Sequence, residues 1–373
     1  MREPRGQALT TNADTLLNVS EFIDDGQYLF FGPVSKAWRE AWGGRETITS
    51  YTTSYSTVPQ LLYSFECGLP RDTVRLCSKI AASGNLELLQ SARKNGCPWN
   101  EGTCRVAASR GQLGILRWAR EAGCPWDAET CRAAAGSGQL EVLQWAREQG
   151  CPWNSRTCEW AARGGHLSVL QWARQNGCIW NHLTCTGAAS GGHLDVLSWA
   201  RENGCTWFGD TCRAAAFGGH FSTLEWAWEH GCQMSAETCW GAAEGGHLHI
   251  LQWARSEGAE WDERTCSEAA YGGHLAVLKW AHENGCPWDS RTCWKAAEGG
   301  HLDVLQWARA NGCAWDDWTC SKAAREGQLH VIKWARANGC PWSLWTCRMA
   351  AAGGHQHVFR WARANGCPQQ EDE

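Results

Sequence analysis

Cysteine and histidine recur along this chain at a fixed interval, and their side chains are the usual ligands of structural zinc. Eleven cysteines form one column: Cys77, Cys104, Cys131, Cys158, Cys185, Cys212, Cys239, Cys266, Cys293, Cys320 and Cys347. Ten more, from Cys97 to Cys367, form a second, and Cys67 precedes both. Seven histidines form a third: His166, His193, His220, His247, His274, His301 and His355. Two chemistries suit such a set, metal coordination by thiolate and imidazole, and reversible oxidation of thiols. Replacements within the columns argue against coordination. Gln112, Gln139, Gln328 and Asn85 fill the histidine place, which keeps a hydrogen-bonding side chain and loses a good zinc ligand. Ala259 replaces one second-column cysteine while its neighbour Cys266 is kept although its supposed disulfide partner is gone, so small and apolar is the property retained. The expectation is buried packing thiols, inter-repeat hydrogen bonding by the histidines, and neither metal nor cofactor.

The interval is 27 residues, and ten tryptophans, Trp118, Trp145, Trp172, Trp199, Trp226, Trp253, Trp280, Trp307, Trp334 and Trp361, keep it without insertion or deletion. A unit this short cannot bury its own apolar face and must stack on its neighbours. Residues 127–153 serve as the type unit. Asp127 is placed to cap a first helix that stops at Gly138; a second helix runs from Leu140 to Gln149 and stops at Gly150; Pro152 forbids continuation. Leu140, Val142, Leu143, Trp145 and Ala146 spread over a wide arc, as for a helix buried from two sides. The alanine pair Ala134 and Ala135 lets first helices approach closely. An arginine column, Arg93, Arg120, Arg147, Arg174, Arg201, Arg255, Arg309, Arg336 and Arg363, interrupted by Trp228 and His282, falls near each second helix's C-terminus, where the dipole favours cations. The fold class predicted is all-α: a right-handed solenoid of stacked helix-turn-helix repeats with little or no β-structure.

With 34 basic against 39 acidic residues the chain has no general polyanion-binding field, so nucleic acid is not expected as a partner. No stretch approaches the ~20 apolar residues of a membrane span, and the N-terminus leads into no apolar run. A cytoplasmic or nuclear monomer is expected. No phosphate-cradling loop with its lysine occurs, and histidines, cysteines and acids recur by period rather than converging, so no enzyme is expected. The organisation reads as a disordered N-terminus at 1–13, a helical N-terminal motif at 14–42 and a Ser/Thr-rich linker at 43–57. A degenerate capping half repeat follows at 58–72, then eleven repeats at 73–369 and an acidic tail at 370–373.

The run from Thr157 to Cys178 resembles a short, divergent ankyrin repeat, with Ala189, Gly192, His193, Leu194, Val196, Leu197, Asn203, Gly204 and Cys205 in the family's places in the next unit. Ala259 restores the family's alanine. The units have 27 residues against about 33 in that family. Cys-Pro-Trp stands where the family extends a β-hairpin finger. Residues Leu16 to Trp42 resemble a shortened F-box: an apolar helix with Leu16, Leu17, Val19, Phe22 and Ile23, then Val34, Trp38 and Arg39 as in the family's closing Val-Ser-x-x-Trp-Arg. Asn12 and Ala13 stand where the family opens with Leu-Pro. That resemblance implies binding of a Skp1-like adaptor through Leu16, Leu17, Phe22, Ile23, Val34 and Trp38. From the residues alone, this N-terminal motif is an amphipathic helix pair able to cap the first repeat.

The sharpest functional signal is where the repeats differ. Positions 129, 132 and 136 of the type unit lie on one face of the first helix. In later units they read Arg156, Glu159, Arg163; Asp210, Arg213, Phe217; Glu237, Trp240, Glu244; and Arg264, Ser267, Tyr271. They continue as Arg291, Trp294, Glu298; Trp318, Ser321, Arg325; and Trp345, Arg348, Ala352. Exposed aromatics flanked by Arg and Glu are characteristic of binding hot spots, so this stripe is expected to meet a protein target. The alternative is a thiol-rich metal-binding or redox-buffering protein without a specific partner.

Overall fold

The computed structural model describes residues 56–66, 69, 71 and 73–368. The F-box-like segment at 14–42, with every residue assigned to adaptor binding, lies outside the described residues, as do residues 1–13, most of the linker and the acidic tail. The fold is all-α and of the repeat-solenoid class, with twenty-three helices and no strand among the described residues. The chain divides into two compact units, Met1–Trp153 and Asn154–Glu373. The first holds a lone helix, Val58–Glu66, packed on Leu86–Lys94, and three helix pairs; the second holds eight pairs. Within each unit successive first helices lie side by side, and each second helix packs on its own first helix. In the lone helix Leu61 and Phe65 are buried, while Leu62 faces outward.

Local chemistry sets the ends of each helix. The Asp127 carboxylate accepts from the Glu129 N–H and opens Ala128–Gly136; Asn154, Asn181, Asp262, Asp289 and Asp316 repeat the arrangement. Each such cap is worth about 1 kcal/mol over alanine. Phe208 stands at one cap position and offers no acceptor. Gly138 and Gly150 terminate the two helices of the type unit at φ 72° and 79°, a conformation that penalises any residue with a Cβ.

The core is narrower than the sequence suggests. Ala134, Ala135, Val142, Leu143 and Ala146 are buried, whereas Leu140 and Trp145 are only half-buried. The whole tryptophan column is half-buried, so the ladder expected inside the stack lies at its edge. There rings of the column meet other tryptophans edge-on, as Trp126 and Trp145 do at 5.9 Å.

All 21 described cysteines are buried and reduced. First- and second-column thiols of one repeat lie twenty residues apart and pack together, as Cys320 and Cys340 do around Ala335; the repeat with Ala259 lacks the second thiol. The second-column thiol also donates to the carbonyl of the first-helix cap, Cys313 Sγ to Asp289 O at 3.2 Å and Cys205 Sγ to Asn181 O at 3.3 Å. This register corrects one expectation: the cysteine left without a partner by Ala259 is Cys239, and Cys266 is paired with Cys286. Burial pushes the Cys239 thiol up to about 12. Because the thiolate is the reactive form, a charged thiol reagent in native buffer is expected to label almost none of these residues, and all of them in denaturant. Rapid native labelling of either column, read by mass spectrometry, would contradict this packing.

Candidate protein-binding cleft

The periodic histidines tie neighbouring repeats together. The His193 Nε2–H donates to Arg163 O at 3.1 Å, His220 to Ser190 O at 3.2 Å, His247 to Phe217 O at 3.1 Å and His274 to Glu244 O at 3.0 Å. Where Gln328 fills the column, His330 reaches Gly300 O at 3.1 Å instead. Among the described residues no three His, Cys, Asp or Glu side chains gather to hold a metal ion. Burial holds His247 below its ordinary value of 6.5, with His249, His274 and His220 adding repulsion and the Phe217 carbonyl opposing. The unfolded chain therefore binds this proton more readily. The stability contributed by neutral His247 is present above pH 6.5 and lost as pH falls through the lower folded value. The melting temperature is expected to drop by a few degrees between about pH 7.5 and 5.5, and by less in His247→Gln. An equal drop in both proteins would remove His247 from the explanation.

The arginine column closes the other end of each unit, by a route that the sequence did not reveal. Arg201 donates from Nη1 to Cys205 O at 2.7 Å and lies 4.0 Å over the Trp207 ring. Arg120, Arg147, Arg255, Arg309 and Arg336 repeat the carbonyl contact. Each guanidinium thus satisfies a carbonyl four residues on and stacks on the tryptophan six residues on. His282 keeps the stack, 3.9 Å from Trp288, and Trp228 packs edge-on against Trp253 at 5.6 Å.

The variable stripe is not one uniform exposed face. Arg156, Arg163, Arg213, Phe217, Tyr271, Trp318, Arg325, Trp345 and Arg348 are exposed; Glu159, Trp240, Glu244, Trp294 and Glu298 are half-buried; Ser267 and Ser321 are buried. The middle column alternates large and small through Trp240, Ser267, Trp294 and Ser321, so each serine forms a floor flanked by bulkier residues. Around Ser267 this opens a cleft of about 540 Å³ on the first helices Gly209–Gly218, Ala236–Glu244, Glu263–Tyr271 and Ser290–Gly299. Trp240 and Trp294 line it, with Arg213, Arg264 and Arg291 among the cations and Glu237, Glu244 and Glu268 as the acids. Of the stripe residues, Arg213, Glu237, Trp240, Glu244, Arg264, Ser267, Arg291 and Trp294 come together here. Arg156, Glu159 and Arg163 stand on an earlier helix, Arg325, Trp345 and Arg348 on later ones, and Phe217, Tyr271, Glu298 and Trp318 lie beyond the cleft lining.

Electrostatics and ring contacts hold the walls in place. The Trp240 Nε1–H donates to Asp262 at 2.6 Å, and Arg264 lies 4.7 Å over the Trp240 ring. Arg213 pairs with Glu244 at 3.3 Å, and Arg291 with Glu263 at 2.6 Å and Asp289 at 2.9 Å. Lys295 bridges Glu268 at 3.7 Å and Glu298 at 3.8 Å while lying 4.5 Å over the Tyr271 ring. Lys322 continues the series, 3.3 Å from Glu298 and 5.2 Å from the Trp294 ring. Burial pushes the Glu268 carboxyl up, against the pull of Lys295. The sequence reading missed Glu268 and Lys295, although their column also varies, through Trp160, Gly187, Ala214, Gly241, Lys322 and Met349. Indole walls locked by hydrogen bonds and ion pairs form a pre-organised, amphipathic recess. Such a recess suits binding, since little side-chain entropy remains to be lost.

Compared with models of known protein families and with curated proteins, the chain matches none. No described helix is long and apolar enough to cross a membrane.

Proposed function

We propose that this protein is a non-enzymatic protein–protein interaction scaffold of cytoplasm or nucleus, built of short ankyrin-like repeats, that binds a protein target through its first-helix stripe. One observation carries the reading: positions at which the repeats differ line a cleft with two tryptophans, while the positions that repeat form its support. Aromatic and arginine side chains fixed in such a setting supply much of the binding energy in protein interfaces. The F-box-like segment at 14–42 adds a second role, presenting the captured target to a ubiquitin ligase through a Skp1-like adaptor held by Leu16, Leu17, Phe22, Ile23, Val34 and Trp38.

Affinity purification of the full chain from its native cells tests each part. Recovery of a target that Trp240→Ala with Trp294→Ala releases supports the scaffold, and an adaptor lost on substituting Leu17 and Trp38 supports the ligase role. A target without an adaptor restricts the F-box-like segment to capping. Bound metal with no specific protein partner would favour the thiol-rich metal-binding or redox reading.

A further inference from the structure

A different feature, independent of partner binding, has a chemistry of its own: the paired thiols. In ten repeats a first-column cysteine is followed twenty residues later by a second-column cysteine. The Cys77, Cys131 and Cys293 thiols donate to the carbonyl of that later cysteine at 3.8, 3.9 and 3.9 Å, and Cys320 with Cys340 and Cys347 with Cys367 share buried clusters. Both members are buried, and no third histidine, cysteine or carboxylate stands near enough among the described residues to complete a larger ligand set. Zinc in structural sites takes four ligands in a tetrahedron, which these pairs do not offer. Two sulfurs in a dry, apolar setting suit a soft ion that is content with two ligands, and thiolates select Cu(I) among biological metals.

We propose that each intact cysteine pair is a two-coordinate site for a soft monovalent metal ion, with Cu(I) as its biological representative. One ion enters, two thiols each lose a proton to water, and a metal dithiolate of charge −1 remains; no electron changes hands. A guanidinium stands by to balance that charge. Arg120 acts on Cys104, Arg174 on Cys158 and Arg201 on Cys185, each favouring the ionised sulfur. The arginine that caps the second cysteine's carbonyl thus also faces the metal site. Two repeats lack this cation, since Trp228 and His282 replace it beside Cys212–Cys232 and Cys266–Cys286, and these pairs should fill last. Because thiols must be deprotonated to bind, loading should weaken as pH falls. The repeat containing Cys239 and Ala259 has one thiol of the pair and holds no ion.

The test is titration of the full-length protein with Cu(I), supplied as its acetonitrile complex without oxygen, followed by native mass spectrometry and circular dichroism. The expected result is one ion per intact pair with helical content retained. Cys185→Ala should lower the count by one and Ala259→Cys should raise it by one, while Zn(II) is not retained. Should Cys185→Ala fold poorly, Ala259→Cys alone carries the test. A count indifferent to Ala259→Cys, loss of helix on loading, or equal retention of zinc would each overturn the proposal.

Discussion

Gly218→Ser is expected to cost about 2 to 3 kcal/mol, and His220→Gln in the same chain to recover more than half of that loss. Gly218 ends a helix in ordinary geometry, so backbone strain is not the cause. A Cβ there would lie 2.5 Å from His220 Cδ2 and 2.7 Å from Nε2, because the imidazole passes over Gly218 on its way to Ser190 O. A side chain at 218 must displace the ring and break its bond to the preceding repeat, adding a lost hydrogen bond of about 1 kcal/mol to the overpacking. The chain itself shows both solutions. Wherever the column holds histidine, glycine stands two residues before it, at Gly164, Gly191, Gly218, Gly245, Gly272, Gly299 and Gly353. Where the column holds Asn85, Gln112, Gln139 or Gln328, that position is Ser83, Arg110, Ser137 or Glu326. Urea denaturation of wild type, both single variants and the double variant gives the coupling directly. Additive losses would mean that the imidazole and the glycine act separately.

Trp240→Ala combined with Trp294→Ala is expected to weaken capture of the protein target by about 100-fold or more, since buried tryptophans at hot spots commonly contribute ~2 kcal/mol or more each. The two rings are also half-buried, and Trp240 is bonded to Asp262, so the double variant should lose about 1 to 3 kcal/mol of stability as well. Trp318→Ala and Trp345→Ala provide the contrast. Both rings are exposed at 45%, so stability should change by less than about 0.5 kcal/mol. Binding measured at a temperature well below every melting transition separates the two effects. Unaltered capture by the folded Trp240/Trp294 variant would assign these rings to packing alone.

The candidate site was half legible. Comparing units found the columns that vary, and eight residues from those columns line the cleft. Ser267 reads in the sequence as one more surface position, yet it is the floor, buried between two bulkier neighbours. Glu268 and Lys295 escape notice there because they sit one place beyond the stripe. Their role depends on contacts one repeat apart, Lys295 with Glu268 and Lys322 with Glu298, which no helical period within one unit predicts.

The sequence by itself determined the helix pair, its caps and its glycine stops, because these depend on hydrogen bonds and φ values within about four residues. The 27-residue period likewise determined that units must stack, since no unit can bury its own apolar face. Tertiary structure decided what each column does once stacked. Cys239, not Cys266, lost its partner, because the pairing register is set by two helices packing across a turn. Arginines chose carbonyls and tryptophan faces over carboxylates, and histidines claimed the space above a glycine. Each of these outcomes turns on side chains reaching atoms of another turn, helix or repeat, a distance fixed by packing rather than by position in the chain.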